Sequence, residues 1–188
     1  MRRALAGLCL WLAAAAAGAA DWGLPQLFAQ LAKDRPGRAT FHERKFMALL
    51  DRPLESTGEL AFTPPDTLEK RTLTPRPEVV RVDRERVTLE RGGRKHALAL
   101  RENPAVAVLV DGVRATLAGD LAALTRGYSA GLDGSPERWR LTLRPLDAAA
   151  AQLVERIEIS GAGARVGKVE ILQADGDRSV MTITQAAP

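Results

Sequence analysis

Between Phe41 and Leu100 short apolar runs follow one another with nothing between them but Gly, Pro and Asp turns, and this constrains the fold more than any other feature of the chain. The runs are Phe41 to Leu50, Leu54 to Phe62, Leu68 to Thr74, Val79 to Asp83, Val87 to Arg91 and Lys95 to Leu100. Parallel neighbours need a crossover of roughly a dozen residues, usually a helix, and no gap here can hold one. The strands must therefore form an antiparallel meander. Two-residue alternation sets their faces. Leu60 and Phe62 share one face and Glu59 and Ala61 the other; Val80/Val82, Val87/Leu89 and Leu98/Leu100 are inward pairs, and Pro64-Pro65-Asp66 closes the second run.

The pattern returns toward the C-terminus. Trp139, Leu141 and Leu143 alternate with Arg138, Arg140, Thr142 and Arg144 until Pro145 stops the run. Ile157/Ile159, Val169/Ile171 and Val180 to Ile183 mark three more strands, divided by Gly161 to Gly163 and by Asp175-Gly176-Asp177, a strong hairpin signal. Before the strands, Leu24, Leu27, Phe28 and Leu31 fall at i, i+3, i+4 and i+7, which predicts an amphipathic helix. The expected architecture is mainly β with helices (α+β), with ten or eleven strands and three helices in one domain.

The segment from Ala105 to Val113 admits two readings. Asp111-Gly112 between apolar residues is a hairpin signal. A helix is favoured by Asn103 as N-cap, Pro104 at the first position, Gly119 as terminator, and a stripe of Val106, Leu109, Val110, Val113 and Leu117. Asp120 then caps a second short helix through Leu121 and Leu124 that ends at Gly127. The stripe is more apolar than a helix with one wet face needs, so the helix is either buried in a tight core or covers an apolar cavity.

The first twenty residues read as a cleaved secretory signal peptide, with Arg2 and Arg3, an apolar stretch from Ala4 to Ala17, and Gly18-Ala19-Ala20 before Asp21. The sole cysteine, Cys9, lies inside it. Of the 27 Lys+Arg, two leave with the leader and none of the 23 Asp+Glu do, so residues 21–188 carry 25 − 23 = +2. No thiol nucleophile, disulfide or thiolate metal site is expected in the exported product, and its charge does not call for nucleic acid. His42 and His96 stand alone in their strands without a second ligand at metal spacing. Ser56, Ser129 and Ser179 lack a nucleophile elbow, and Gly161-Ala162-Gly163 does not continue as a dinucleotide-binding fingerprint. No catalytic group, metal or cofactor is expected. The Arg81/Arg84/Arg86 and Arg138/Arg140/Arg144 clusters, interspersed with acids, read as solvated outer faces.

In order along the chain, the sequence resembles the LolA-type periplasmic outer-membrane lipoprotein carriers, in a divergent LolA-related branch. The residues that carry the resemblance are Phe41 to Phe46 after the first helix, Pro53 to Phe62 with Pro65, Leu117 to Leu121, Trp139 to Pro145, and Gly176 to Met181. The resemblance implies an unclosed antiparallel β-barrel of about eleven strands with a helical lid over an apolar cavity. It implies a monomer that takes acyl chains of a lipoprotein or other lipid cargo from an inner-membrane donor transporter or exporter to an outer-membrane acceptor, without catalysis. A carrier of a non-lipoprotein lipid or polyene product, working with an exporter, is the alternative. The lipid-binding residues expected on this basis are Leu60, Phe62, Leu68, Val80, Val82, Leu98, Leu100, Val106, Leu109, Val110, Val113, Leu141 and Leu143. Arg81, Arg140, Thr142 and Arg144 are expected to face out. The family commonly has Arg-Pro and then an aromatic after the second strand, the Arg latching the lid; here Pro64-Pro65 and Leu68 stand there. Arg71 and Arg44 are the candidates for a substitute latch.

Overall fold

The computed structural model describes residues 22–33, 37–63 and 66–185; the leader and Pro64-Pro65 lie outside them. Helix α1 spans Leu24–Leu31. The meander then runs through β1 (Arg38–Phe46), β2 (Leu54–Thr63), β3 (Thr67–Thr74), β4 (Glu78–Asp83), β5 (Arg86–Arg91) and β6 (Arg94–Ala99). A 3-10 turn at Leu100–Glu102 leads into α2 (Pro104–Ala118) and α3 (Leu121–Gly127). The second half is β7 (Tyr128–Ser135), β8 (Arg138–Pro145), α4 (Ala148–Ala151), β9 (Val154–Ala162), β10 (Arg165–Gln173) and β11 (Arg178–Gln185).

All strands join one 11-stranded sheet in the order β6-β5-β4-β3-β2-β1-β11-β10-β9-β8-β7. Neighbours are antiparallel throughout, as the short connections require. The last strand returns beside the first, with Phe41 opposite Ile183. The two halves of the chain thus fuse into one curved sheet whose ends, β6 and β7, do not pair. This is the expected unclosed, barrel-like α+β fold. The first strand ends at Phe46, earlier than its apolar run suggests, and Leu100 belongs to the 3-10 turn. Strand β7 and the four-residue α4 carry too weak a periodicity to be anticipated.

The core fills one half of the concave side. Leu27, Phe28 and Leu31 of α1, Leu124 of α3, Trp139, Leu141 and Leu143 of β8, and Ile157 and Ile159 of β9 form one buried cluster. Trp139 is 1% exposed, and its indole N–H donates to the Gly163 carbonyl at 2.9 Å, so the largest side chain of the core leaves no polar atom unpaired. Strands β2 to β6 contribute nothing to this cluster.

Residues 104–118 are helical despite Asp111-Gly112. The glycine serves close packing: a Cβ on Gly112 would lie 2.4 Å from the Tyr128 ring. The Tyr128 hydroxyl donates to the Val108 carbonyl at 3.2 Å, and burial, with Asp111 nearby, pushes its pKa up to about 12. Gly119 ends the helix in the left-handed region at φ 67°, against the backbone of Ala32. Asn103 occupies the N-cap position without a capping bond, its side-chain amide donating to Ala99 at 2.9 Å, whereas Asp120 does cap α3 through Ala123. Gly112→Ala should lower stability by about 1–3 kcal/mol through overpacking. Thermal unfolding checks this, and an unchanged midpoint would deny the close approach.

Candidate functional site

The register of β2 to β6 arranges their inward side chains in rows across the strands. Nearest the β2–β3 and β4–β5 turns, Phe62, Leu68, Val82, Val87 and Leu98 lie directly opposite one another in sequence across the five strands. Phe62 and Val82 are buried, while Leu68, Val87 and Leu98 are half-buried. Two residues further along each strand the row reads Leu60, Lys70, Val80, Leu89 and His96. Another two residues on, it reads Gly58, Thr72, Glu78, Arg91 and Arg94. The face therefore grades from wholly apolar to polar over four residues, about 13 Å of strand.

Between this half and the packed half runs a polar seam. Glu43 of β1 accepts hydrogen bonds from Ser179 at 2.6 Å and Ser56 at 3.3 Å and pairs with Lys70. Lys70 also lies 5.0 Å from the centre of the Phe41 ring, a cation–π contact. Burial alone would push the Glu43 carboxyl up, but the bonds from Lys70, Ser179 and Ser56 outweigh it and hold the group below its ordinary 4.5. A group lowered on folding stabilises the fold in full above its unfolded pKa and loses that contribution as pH falls through its folded one. The thermal advantage of the wild type over Glu43→Gln at neutral pH should therefore shrink on acidification below 4.5. An advantage independent of pH would contradict the assignment.

Helix α2 closes the apolar end. It packs on α1, α3, α4 and the 3-10 turn, and not extensively on any strand. Its tie to the open half of the sheet is Arg114, whose guanidinium donates to the Arg84 carbonyl in the β4–β5 turn at 2.6 Å and to the Asp66 carbonyl before β3 at 3.1 Å. Asp111, one turn earlier, pairs with it at 3.4 Å. The latch thus projects from the helix to the rim, the reverse of the arrangement expected on a strand. Arg71 instead bonds Glu69, and Arg44 pairs with Glu55 and stacks on Phe46, all on the convex face. An isolated Arg amid apolar helix residues was the available signal, but its partners are backbone carbonyls that sequence cannot display.

The expected lining residues divide. Leu60, Phe62, Leu68, Val80, Val82 and Leu98 share the concave face of the open half, and Leu100 is buried at its rim. Leu141 and Leu143 are fully enclosed in the packed half, so they build the core and offer no surface. On α2, Leu109 packs against the core, whereas Val106, Val110 and Val113 stay outside it, Val113 being 40% exposed. Arg81, Arg140, Thr142 and Arg144 take the opposite register. Open grooves of about 890 and 460 Å³ on the convex side are lined by mixed charges such as Arg81, Asp83, Arg86 and Glu69, a surface for water. His42 and His96 are exposed on opposite faces, and no cluster of metal-ligating side chains occurs among the described residues. No helix among them is long and apolar enough to cross a membrane.

An open curved sheet whose concave face carries an apolar row outside the packed core, next to a helix tied to that half by one arginine, has the form of the lipid- and lipoprotein-carrier folds. Over residues 13–188 the sequence matches the family described as outer membrane lipoprotein carrier protein LolA-like, and the chain belongs to it as a divergent member. No curated protein matches the sequence. Among solved structures it is similar to the LolA superfamily protein NE2245 from Nitrosomonas europaea, with TM-score 0.46 and 9% identity over 87% of this chain and 93% of that one. It is similar to a chain of the Pseudomonas aeruginosa MucA/MucB complex, with TM-score 0.46 and 18% identity over 88% and 58%. The Mycobacterium tuberculosis lipoprotein LppX gives TM-score 0.40 and 9% identity over 85% and 94%.

Arg114→Leu should speed amide exchange across Pro104–Ala118, because two charge-assisted bonds of this kind hold about 1–3 kcal/mol between them at a partly wet rim. That corresponds to roughly 5- to 150-fold faster exchange where local opening controls it. Arg71→Leu and Arg44→Leu should leave exchange there unchanged. Hydrogen exchange read by mass spectrometry separates the three.

Proposed function

We propose that the chain is a periplasmic carrier, exported by a leader over residues 1–20, whose domain over residues 21–188 moves acyl chains of lipoproteins or related lipids from inner to outer membrane. It binds, shields and releases, and performs no catalysis. A donor at the inner membrane loads it and an acceptor at the outer membrane empties it. The observation that carries this reading is the apolar row of β2 to β6, left out of the packed core, together with Val106, Val110 and Val113 of α2, which the core does not use either.

The physical case is simple. Burying acyl chain is worth about 0.8 kcal/mol per methylene, and it needs no reactive group. Leu68, Val87 and Leu98 of the row are only half-buried and Val113 of the stripe is exposed, and a lipid tail would cover that remaining apolar surface. Membership of a carrier family agrees with this use of the surface.

Mass spectrometry of organic extracts from the protein purified out of the periplasm tests the reading directly. Acylated protein or lipid should be recovered with the wild type. Leu68→Glu and Phe62→Glu should each abolish uptake of an apolar fluorescent probe, because an unpaired carboxylate in an apolar site is costly. Arg140→Glu should not. Equal loss from Arg140→Glu with the fold intact, or an empty wild type that takes up no probe, would overturn the proposal.

A further inference from the structure

The open half of the concave face is not uniformly apolar, and its polar end is basic. Among the described residues, Glu43 matches Lys70 and Glu78 matches Arg91 at 3.7 Å. Arg94 stands in the last row at that end and His96 one row further in, opposite Leu89, and neither has a carboxylate partner among the described residues. Arg94 flanks the β5–β6 turn, His96 follows two residues later on the same face, and both are exposed. Positive charge therefore remains where the apolar rows end, about 13 Å along the strands from Val82.

Building on the carrier reading, we propose that this face binds an amphiphile with an anionic group next to its acyl chain, tail toward α2 and anion over Arg94 and His96. The tail lies along Leu68, Val80, Val82 and Leu89, where the rows are apolar. The anion meets an exposed guanidinium, which can donate two parallel bonds to a carboxylate or phosphate, with the imidazole as its neighbour. Lys70, held by Glu43, stands midway and limits how far an uncharged head can slide inward without leaving that pair poorly solvated. The gradient gives the site a direction as well as an affinity. A neutral head group in the same place would leave Arg94 without compensation.

The test is isothermal titration of the wild-type protein with dodecanoate, dodecyl phosphate, the neutral dodecyl maltoside and inorganic phosphate. At least one anionic amphiphile should bind ten-fold or more tighter than the maltoside, and inorganic phosphate should not bind at comparable concentration. A preference for dodecanoate identifies a fatty-acid carboxylate, and one for dodecyl phosphate a lipid phosphate head. Arg94→Gln combined with His96→Gln should erase the anionic advantage while maltoside binding, which reports an intact tail site, stays the same; Arg138→Gln should change neither.

Equal affinity for the three amphiphiles, or an anionic advantage that survives the double change, would overturn the inference and leave the carrier reading standing. Inorganic phosphate binding as tightly as dodecyl phosphate would also overturn it, since the site would then recognise a free anion. Failure of every amphiphile to bind would remove both.

Discussion

The concave side of this protein depends on how α2 is held, and the anchor is the Tyr128 ring pressed onto Gly112. A side chain at that position would push the helix away by the width of a methyl group, and the tyrosine hydroxyl would lose the Val108 carbonyl. With the ring in place, the helix is fixed to α3 and to the packed half of the sheet. It is then carried across to the other half as an overhang. Rigid attachment on one side and a single guanidinium on the other give two unequal bonds to the scaffold. The weaker one, at Arg114, faces the half of the sheet that the core leaves unfilled.

Much of this was legible in the sequence, and the failures have physical causes. Alternation fixed the faces of Leu60/Phe62, Val80/Val82 and Trp139/Leu141/Leu143 because a period of two leaves no choice once one side is buried. Pro104 and Gly119 outweighed Asp111-Gly112 because a start and a stop at helix spacing constrain more residues than one turn dipeptide. Strand β7 escaped notice since its Gly131, Asp133 and Gly134 look like turn residues and its partner β8 supplies the order. The division of the apolar residues into a filled half and an open half was not readable at all. Leu143 and Leu89 belong to similar patterns, and only α1 and α3, lying over one and not the other, tell them apart. Glu43 shows the same limit from the polar side, because its three partners come from three different strands.

A polar seam in the middle of an apolar face costs stability, since burying charge is unfavourable unless every lone pair finds a donor. Here the Glu43 carboxylate has an ammonium and two hydroxyls, so the cost is largely offset. What the seam gains is a boundary. Apolar collapse of the open rows onto the packed core would drag that carboxylate out of reach of its partners. The two halves are thereby kept distinct although one continuous sheet carries both.

Strands β6 and β7 do not pair with each other, so the sheet has no final ladder to fix its girth. In a closed barrel, strand number and shear set the radius together, and the interior has one size. An open sheet can change curvature by small adjustments of twist along eleven strands without breaking a hydrogen bond. For the carrier proposed above, the width beneath α2 would then be set by the cargo, and the same side chains could hold a thin chain or a bulky one.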